Sequence, residues 1–184
     1  MLLYATAIQT GLRSNELRSL VVQQLCLDAS PPYLTCRACS TKNKKAARQY
    51  VTAELSSELR AWTAEKESWK PVFAMPDPSD VAAMIKADLA DARLAWLDAA
   101  SDPHDRRLRE QADFLRVRNH AGQQLDFHAL RHTCGAWLAL AGNHPKAIQS
   151  VLRHSTITLT MDTYGHLFPG QEADAIASLP RLFE

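Results

Sequence analysis

The stretch HALRHTCGAW, residues 128–137, places His128, Arg131 and His132 within five positions at the head of an otherwise apolar segment. Two other stretches carry the same kind of side chain: TGLRSNEL holds Arg13, and LRHSTITLTMDTY holds His154 and, ten residues later, Tyr164. Fixed cations converging on one point suit a phosphodiester, whose reaction spreads charge over its non-bridging oxygens. Arginine is the residue for that task, because its planar fork meets two oxygens at once and stays protonated. Arg13 and Arg131 are the expected clamps. His128 lies one helical turn before Arg131 and presents to the same face, and His154 supplies another donor. A phenol with a pKa of about 10 is a poor nucleophile unless a base takes its proton or cations stabilise the phenolate. Tyr164, beside two arginines and a histidine, would have both aids. The leaving deoxyribose hydroxyl needs a proton, and Lys42, at the tip of a lysine-rich turn, is the expected acid, with Lys44 and Lys45 open as alternatives.

Other chemistries fit these residues less well. His128 and His132 stand four apart, as a zinc-binding helix pair would, but no glutamate lies between them and Arg131 would repel a metal. Cys36 and Cys39 have a metal-like spacing, yet an odd separation within a strand sends the two thiols to opposite faces, and no second pair follows. No metal is expected. His132 reads as structural, hydrogen-bonded beneath the site. Trp62, Trp69, Trp96 and Trp137 read as core or helix-face residues. Glu16, three after Arg13, reads equally as a first-turn carboxylate favoured by the helix dipole and as a support for the site.

The chain has 184 residues, enough for one globular domain, with 46% hydrophobic and 22% charged residues, an ordinary soluble composition. Its net charge is only +1, but the distribution is uneven. Residues 1–60 hold eight Lys and Arg against four Asp and Glu, whereas residues 61–127 hold nine against twelve. A locally basic face of that kind can bind phosphate while the remainder stays neutral. Four cysteines are too few and too scattered for a disulfide scaffold, and the opening apolar run is broken by Gln9 and Thr10, so a cytoplasmic protein without membrane span is expected.

The elements that must carry these side chains follow from periodicity. Residues 2–9 read as a helix ending near Gly11, and a second helix starts near Ser14 with Leu17, Leu20 and Val21 as its buried stripe. Residues 31–53 read as a β-hairpin with its turn at 42–45, followed by a helix over ELSSELRAWTAEK and a proline-rich connection over 70–80. From Val81 to about Phe114 one or two surface helices are expected. Asp126 caps the helix of the opening stretch, whose expected buried face is Leu130, Cys134, Trp137, Leu138 and Ala141. Pro145 opens the next helix, with Ile148, Val151 and Leu152 inward, and Ser155 or Thr156 starts a last one through Tyr164.

In that order, TGLRSNEL, STKNKK, HALRHT and LRHSTITLTMDTY resemble the catalytic domain of the tyrosine recombinases, the phage-integrase family of DNA strand-exchange enzymes. The resemblance runs from about Thr10 to Tyr164. It implies a mainly α-helical domain with a small antiparallel β-sheet, an α+β DNA breaking-rejoining fold. It further implies that Arg13, Lys42, His128, Arg131 and His154 surround the scissile phosphate. Tyr164 then attacks to give a 3′-phosphotyrosine and a free 5′-hydroxyl, without metal or nucleotide cofactor, and Glu16 supports the site. Lys44, Lys45 and Arg153 are further cations expected to face DNA. The implied partner is double-stranded DNA, with tetramer formation on it, and no membrane or small-molecule substrate. The biology would be integration, excision or resolution at a specific site.

Two departures stand out. Arg153 occupies a position where many relatives have glycine before the second histidine. Arg13 comes almost at the start, so residues 1–184 read as a single catalytic domain lacking the N-terminal core-binding domain of the family, with 167–184 as a tail whose Ile176, Leu179, Leu182 and Phe183 pack on the domain itself or dock on a neighbouring subunit. Two rival activities are a type IB topoisomerase, which shares the nucleophile and cations, and a non-catalytic DNA-binding remnant of a mobile element.

Overall fold

In the computed structural model of the chain, residues 1–37, 46–168 and 176–180 are described. The expectations placed on Lys42, Lys44 and Lys45, on Cys39 and on Leu182 and Phe183 lie outside the described residues.

Helix α1, Leu2–Thr10, buries the hydroxyls of Thr6 and Thr10 by bonding each to the carbonyl four residues earlier, at 2.8 and 2.5 Å. It ends where expected. Gly11 takes the left-handed conformation, φ 62°, and its N–H closes onto the Ala7 carbonyl. Helix α2, Ser14–Arg18, is shorter than its apolar spacing predicts. Beyond it the Leu20 carbonyl accepts from the Val72 N–H at 2.9 Å, and the Val22 N–H donates to the Lys70 carbonyl at 3.1 Å. Pairing with the proline-rich connection thus outbids the helix at two β-branched residues, Val21 and Val22. Leu17 and Leu20 are buried all the same, while Val21 is only partly so.

The hairpin expected over residues 31–53 is present as β2, Tyr33–Cys36, against β3, Ala47–Tyr50. A third strand, β1, Leu25–Cys26, which periodicity did not indicate, makes the sheet antiparallel in the order β1-β2-β3, with Leu25 opposite Leu34 and Leu34 opposite Gln49. Two residues are too few to show an alternation. Helix α3, Ala53–Thr63, starts where the Thr52 hydroxyl accepts the Leu55 N–H at 3.1 Å, and buries Leu55 and Leu59, one turn apart.

Helices α4, Val81–Asp98, and α5, Pro103–Gln111, fill the charged stretch. Only Val81 and Ile85 of α4 are buried, and no residue of α5 is. Instead of a core, α5 is held by Arg93, whose guanidinium donates to the carbonyls of Arg109, Glu110 and Ala112 at 3.2, 3.0 and 3.1 Å and also to that of Phe114. These carbonyls belong to the end of α5 and the turn after it, which lack intrahelical partners.

Helix α6, Phe127–Leu140, begins where the Asp126 carboxylate accepts the Ala129 N–H at 2.9 Å. Its buried face keeps Cys134 of the expected one, with Leu130 and Leu138 partly buried, and departs from it at Trp137 and Ala141. Phe127, Arg131, Cys134, Gly135 and Ala139 point inward, and Trp137 stands 59% exposed. The inward residues still follow helical spacing, but Arg131 reads as polar and Gly135 and Ala139 as small, so the bulkier neighbours mislead. Helices α7, Pro145–Leu152, and α8, Ile157–Tyr164, follow with Pro145 in the first turn and Thr156 as N-cap, as expected.

Two apolar clusters result. The larger joins α1, α2, the sheet, α3, the start of α4 and Phe127; the smaller comprises Cys134, Ala139, Ile148, Leu152 and Tyr164 of α6 to α8. They meet at Gly11, where a Cβ would lie 2.7 Å from the Leu152 side chain and 3.3 Å from the Cys134 sulfur. Glycine is therefore needed twice there, for the dihedral and for the approach. Among the described residues no helix is long and apolar enough to cross a membrane.

Candidate active site

Arg131 sits on the seam between the two clusters. It is 3% exposed, and its two terminal nitrogens donate to the backbone carbonyls of Gly11 and Leu152. Gly11 lies two residues before Arg13, and Leu152 two residues before His154. One guanidinium thus ties together the segments that bring a second arginine and a second histidine to the site. Each terminal nitrogen keeps one further N–H.

The electrostatics report how close the cations are. Burial, with the charges of Arg13 and Arg153 next, lowers Arg131 to about 10. Burial, then His132, Arg131 and, further down the order, Arg13, lowers His128, while Asp126 opposes the shift. Burial pushes His154 from 6.5 down to about 4, followed by Arg131, Arg13, His132 and His128. The charges of Arg13, Arg131, His128 and His132 thus reach His154, and the buried carboxylate acting on Arg131 is Glu16. A cluster with more cation than anion, partly withdrawn from water, is built to receive an anion.

The unfolded chain protonates its histidine at a higher pH than His154 does in the folded state. Between pH 6.5 and about 4 the unfolded state accordingly binds more protons, and stability falls on acidification through that window. His154→Gln is expected to flatten this part of the stability curve, measured by urea midpoints on either side of the window. A slope equal to that of the unsubstituted protein would remove His154 as its source.

Glu16 is almost wholly buried and serves three groups. Its Oε2 accepts the Arg13 N–H at 2.8 Å and Arg153 Nη2 at 2.5 Å, and its Oε1 meets Arg13 Nη1 at 3.4 Å. Arg153 corrects the sequence expectation: it does not face outward to DNA. Its side chain is 9% exposed and turned onto Glu16 and, through Nη1 at 2.5 Å, onto Gln49 Oε1 of β3. The physical reason is the buried carboxylate of Glu16, which Arg153 reaches from a left-handed backbone, φ 51°, ψ 45°, as the C-cap of α7. Lys42, Lys44 and Lys45 lie outside the described residues.

Tyr164 is 3% exposed and packs flat on α6. A Cβ on Gly135 would lie 2.3 Å from its Cζ and 2.5 Å from its hydroxyl, so only glycine leaves room for the ring. The hydroxyl stands 3.3 Å from His132 Nδ1, and His132 is exposed rather than beneath the site as expected. Burial raises the phenol's pKa; Arg131 opposes this and is, of the two expected arginines, the one whose charge acts on it. His132 and Gly135 are contacts that sequence reasoning missed, although a glycine in the middle of an apolar helix was a visible signal. His154 Nδ1 lies 3.0 Å from the buried Thr160 hydroxyl, which fixes the ring on α8. Gly135→Ala is expected to displace the Tyr164 ring, costing about 1–3 kcal/mol. Faster nitration of Tyr164 by tetranitromethane, mapped by mass spectrometry, checks it; an unchanged rate would place the ring elsewhere.

Comparison with known proteins decides the relationship. The sequence profile of the phage integrase family matches residues 1–170. The chain belongs to the phage integrase family. Its similarity to a tyrosine recombinase XerC-like protein of Caldanaerobacter subterraneus subsp. tengcongensis is 35% over 71 residues, 38% of this chain and 18% of that protein. Among solved structures, the catalytic domain of bacteriophage HP1 integrase superposes with a TM-score of 0.59 at 21% identity, covering 97% of this chain and 81% of that one. XerH site-specific recombinase bound to difH substrate in a pre-cleavage complex gives 0.63 at 17%, covering 97% and 45%. The Tn1549 transposon integrase in complex with a circular intermediate DNA gives 0.60 at 18%, covering 95% and 57%. The chain thus spans less than half the length of the XerC-like and XerH relatives. Its mainly helical architecture with a small antiparallel sheet is the fold of the tyrosine recombinase catalytic domains in the phage integrase family.

Proposed function

We propose that this chain is the catalytic domain of a site-specific DNA recombinase, which cleaves and rejoins double-stranded DNA through a covalent 3′-phosphotyrosine. The observation that carries the reading is the seam on which Arg131 gathers Arg13, His128 and His154 with an excess of positive charge, one helix away from a buried tyrosine. A single phosphodiester placed on the seam neutralises part of that excess, and the fixed guanidiniums meet the charge that develops on its oxygens without reorganising. Arg13 and Arg131 clamp the phosphate, and His128 and His154 donate to it.

Tyr164 is the nucleophile. Its hydroxyl oxygen bonds to phosphorus as the bond to the deoxyribose 5′-oxygen breaks, the phenolic proton leaves to a base, and the leaving oxygen takes a proton from Lys42, or from Lys44 or Lys45 in its place. The phosphotyrosine keeps the energy of the broken diester, so the hydroxyl of another strand can reverse the step. The cations already supply the charge that a metal would bring, and the step as written uses no cofactor. Assembly into a tetramer on DNA, with residues 167–184 docking on a neighbouring copy, belongs to the same proposal.

The test is a nicked suicide substrate, whose cleaved strand loses the fragment needed for religation. Incubated in EDTA and resolved on a denaturing gel, it is expected to give a covalent protein-DNA adduct whose peptide maps to Tyr164. An adduct on another residue, or one that requires a divalent metal, overturns the reading.

A further inference from the structure

Arg153 holds a left-handed backbone that costs energy for any residue with a Cβ, and its Nε is buried without a hydrogen-bond partner among the described residues. Glycine would avoid both costs. The use of the arginine must therefore be sought in what its guanidinium touches. That is Glu16 Oε2 at 2.5 Å and Gln49 Oε1 at 2.5 Å. The same carboxylate meets the Arg13 guanidinium only through Oε1, at 3.4 Å. Two guanidiniums share one buried carboxylate, and Arg153 holds the closer place.

We propose that Arg153 is a positioning residue: by occupying Glu16 it keeps that carboxylate from capturing Arg13, and so leaves the Arg13 fork free for the scissile phosphate. A buried carboxylate facing a single arginine would draw it into a close two-point pair, since that is the strongest arrangement the groups can make. With Arg153 on Oε2, only one oxygen and a long contact remain for Arg13. Exposure agrees with this division, the Arg13 side chain being 26% exposed and that of Arg153 only 9%. The second bond, to Gln49, fastens Arg153 to β3 and keeps it from swinging out to DNA.

The inference rests on the proposed recombinase chemistry, and the experiment separates the two. Cleavage of saturating suicide substrate and the salt dependence of DNA affinity are measured for the unsubstituted chain, Arg153→Gly, Arg153→Gln and Arg153→Gly combined with Glu16→Gln. Both single variants are expected to cleave bound DNA about tenfold to a hundredfold more slowly and to bind it with a salt slope lower by about one, because a captured Arg13 leaves the phosphate. The double variant is expected to regain part of the rate, because a neutral amide does not trap Arg13. A slope that stays lower by about one in the double variant, where Arg13 is free again, would mean that Arg153 itself touches a phosphate, and overturns the inference. Cleavage at the original rate in the single variants, or no recovery in the double variant, also overturns it. Arg153→Gln keeps the side-chain volume and reads the same quantities should the glycine variant fail to fold. If the unsubstituted chain forms no adduct on Tyr164, the recombinase reading has failed instead.

Discussion

Tyr164→Phe is expected to abolish the covalent DNA adduct at every protein concentration while leaving the fold and the DNA affinity nearly unchanged. The substitution removes one oxygen and keeps the ring that fills the notch over Gly135. The lost hydrogen bond is a long one, 3.3 Å to His132, and that histidine is exposed and can turn to water. The stability change should therefore stay within about 1 kcal/mol. The cations that would hold the phosphate are untouched, so affinity and its salt dependence should persist. Chemistry should not, because a phenylalanine has no atom to bond to phosphorus. The suicide-substrate gel, a urea titration and a binding isotherm check the three parts, and a residual adduct would mean that another residue attacks.

Arg131→Ala is expected to damage both stability and catalysis. Its guanidinium satisfies the Gly11 and Leu152 carbonyls, which lie where the two apolar clusters meet. Removal leaves two buried acceptors without a donor and a void at the seam, a loss of about 3–5 kcal/mol. The transition state also loses a fixed cation, a further factor of about a hundred to a thousand in cleavage rate. Arg131→Lys should recover charge without recovering both carbonyls, since an ammonium on a flexible stem cannot reproduce the fork. Urea unfolding read beside the rate of adduct formation distinguishes the two losses. An alanine variant as stable as the parent would contradict the bridging role.

What could be read from the sequence was local. Gly11, Asp126, Pro145 and Thr156 end or start their helices by backbone chemistry that acts within a few residues, and each element forms where those signals fall. The order of Arg13, His128, Arg131, His154 and Tyr164 was legible as well. What was not legible depends on partners far along the chain. Arg131 counts as polar in any periodicity, yet it is buried because carbonyls 120 and 21 residues away accept its protons; hence the buried face of α6 was read around Trp137. Arg153 turns inward because Glu16, 137 residues earlier, lies within its reach. The seat of Tyr164 on Gly135 and His132 likewise has no expression in local spacing.

On the proposed function, the joint at Gly11 would make nucleic-acid capture and the cohesion of the protein a single equilibrium. An anion seated between the clusters would add its own bonds to both sides of a boundary that, among the described residues, the Arg131 guanidinium, the tight Gly11 contact and Arg153 on Glu16 and Gln49 already cross. Whatever fills that gap raises the work of prying the halves apart, in proportion to the logarithm of its concentration over its dissociation constant. On the proposed function, the scissile phosphate would thus act as a pin between two half-sites.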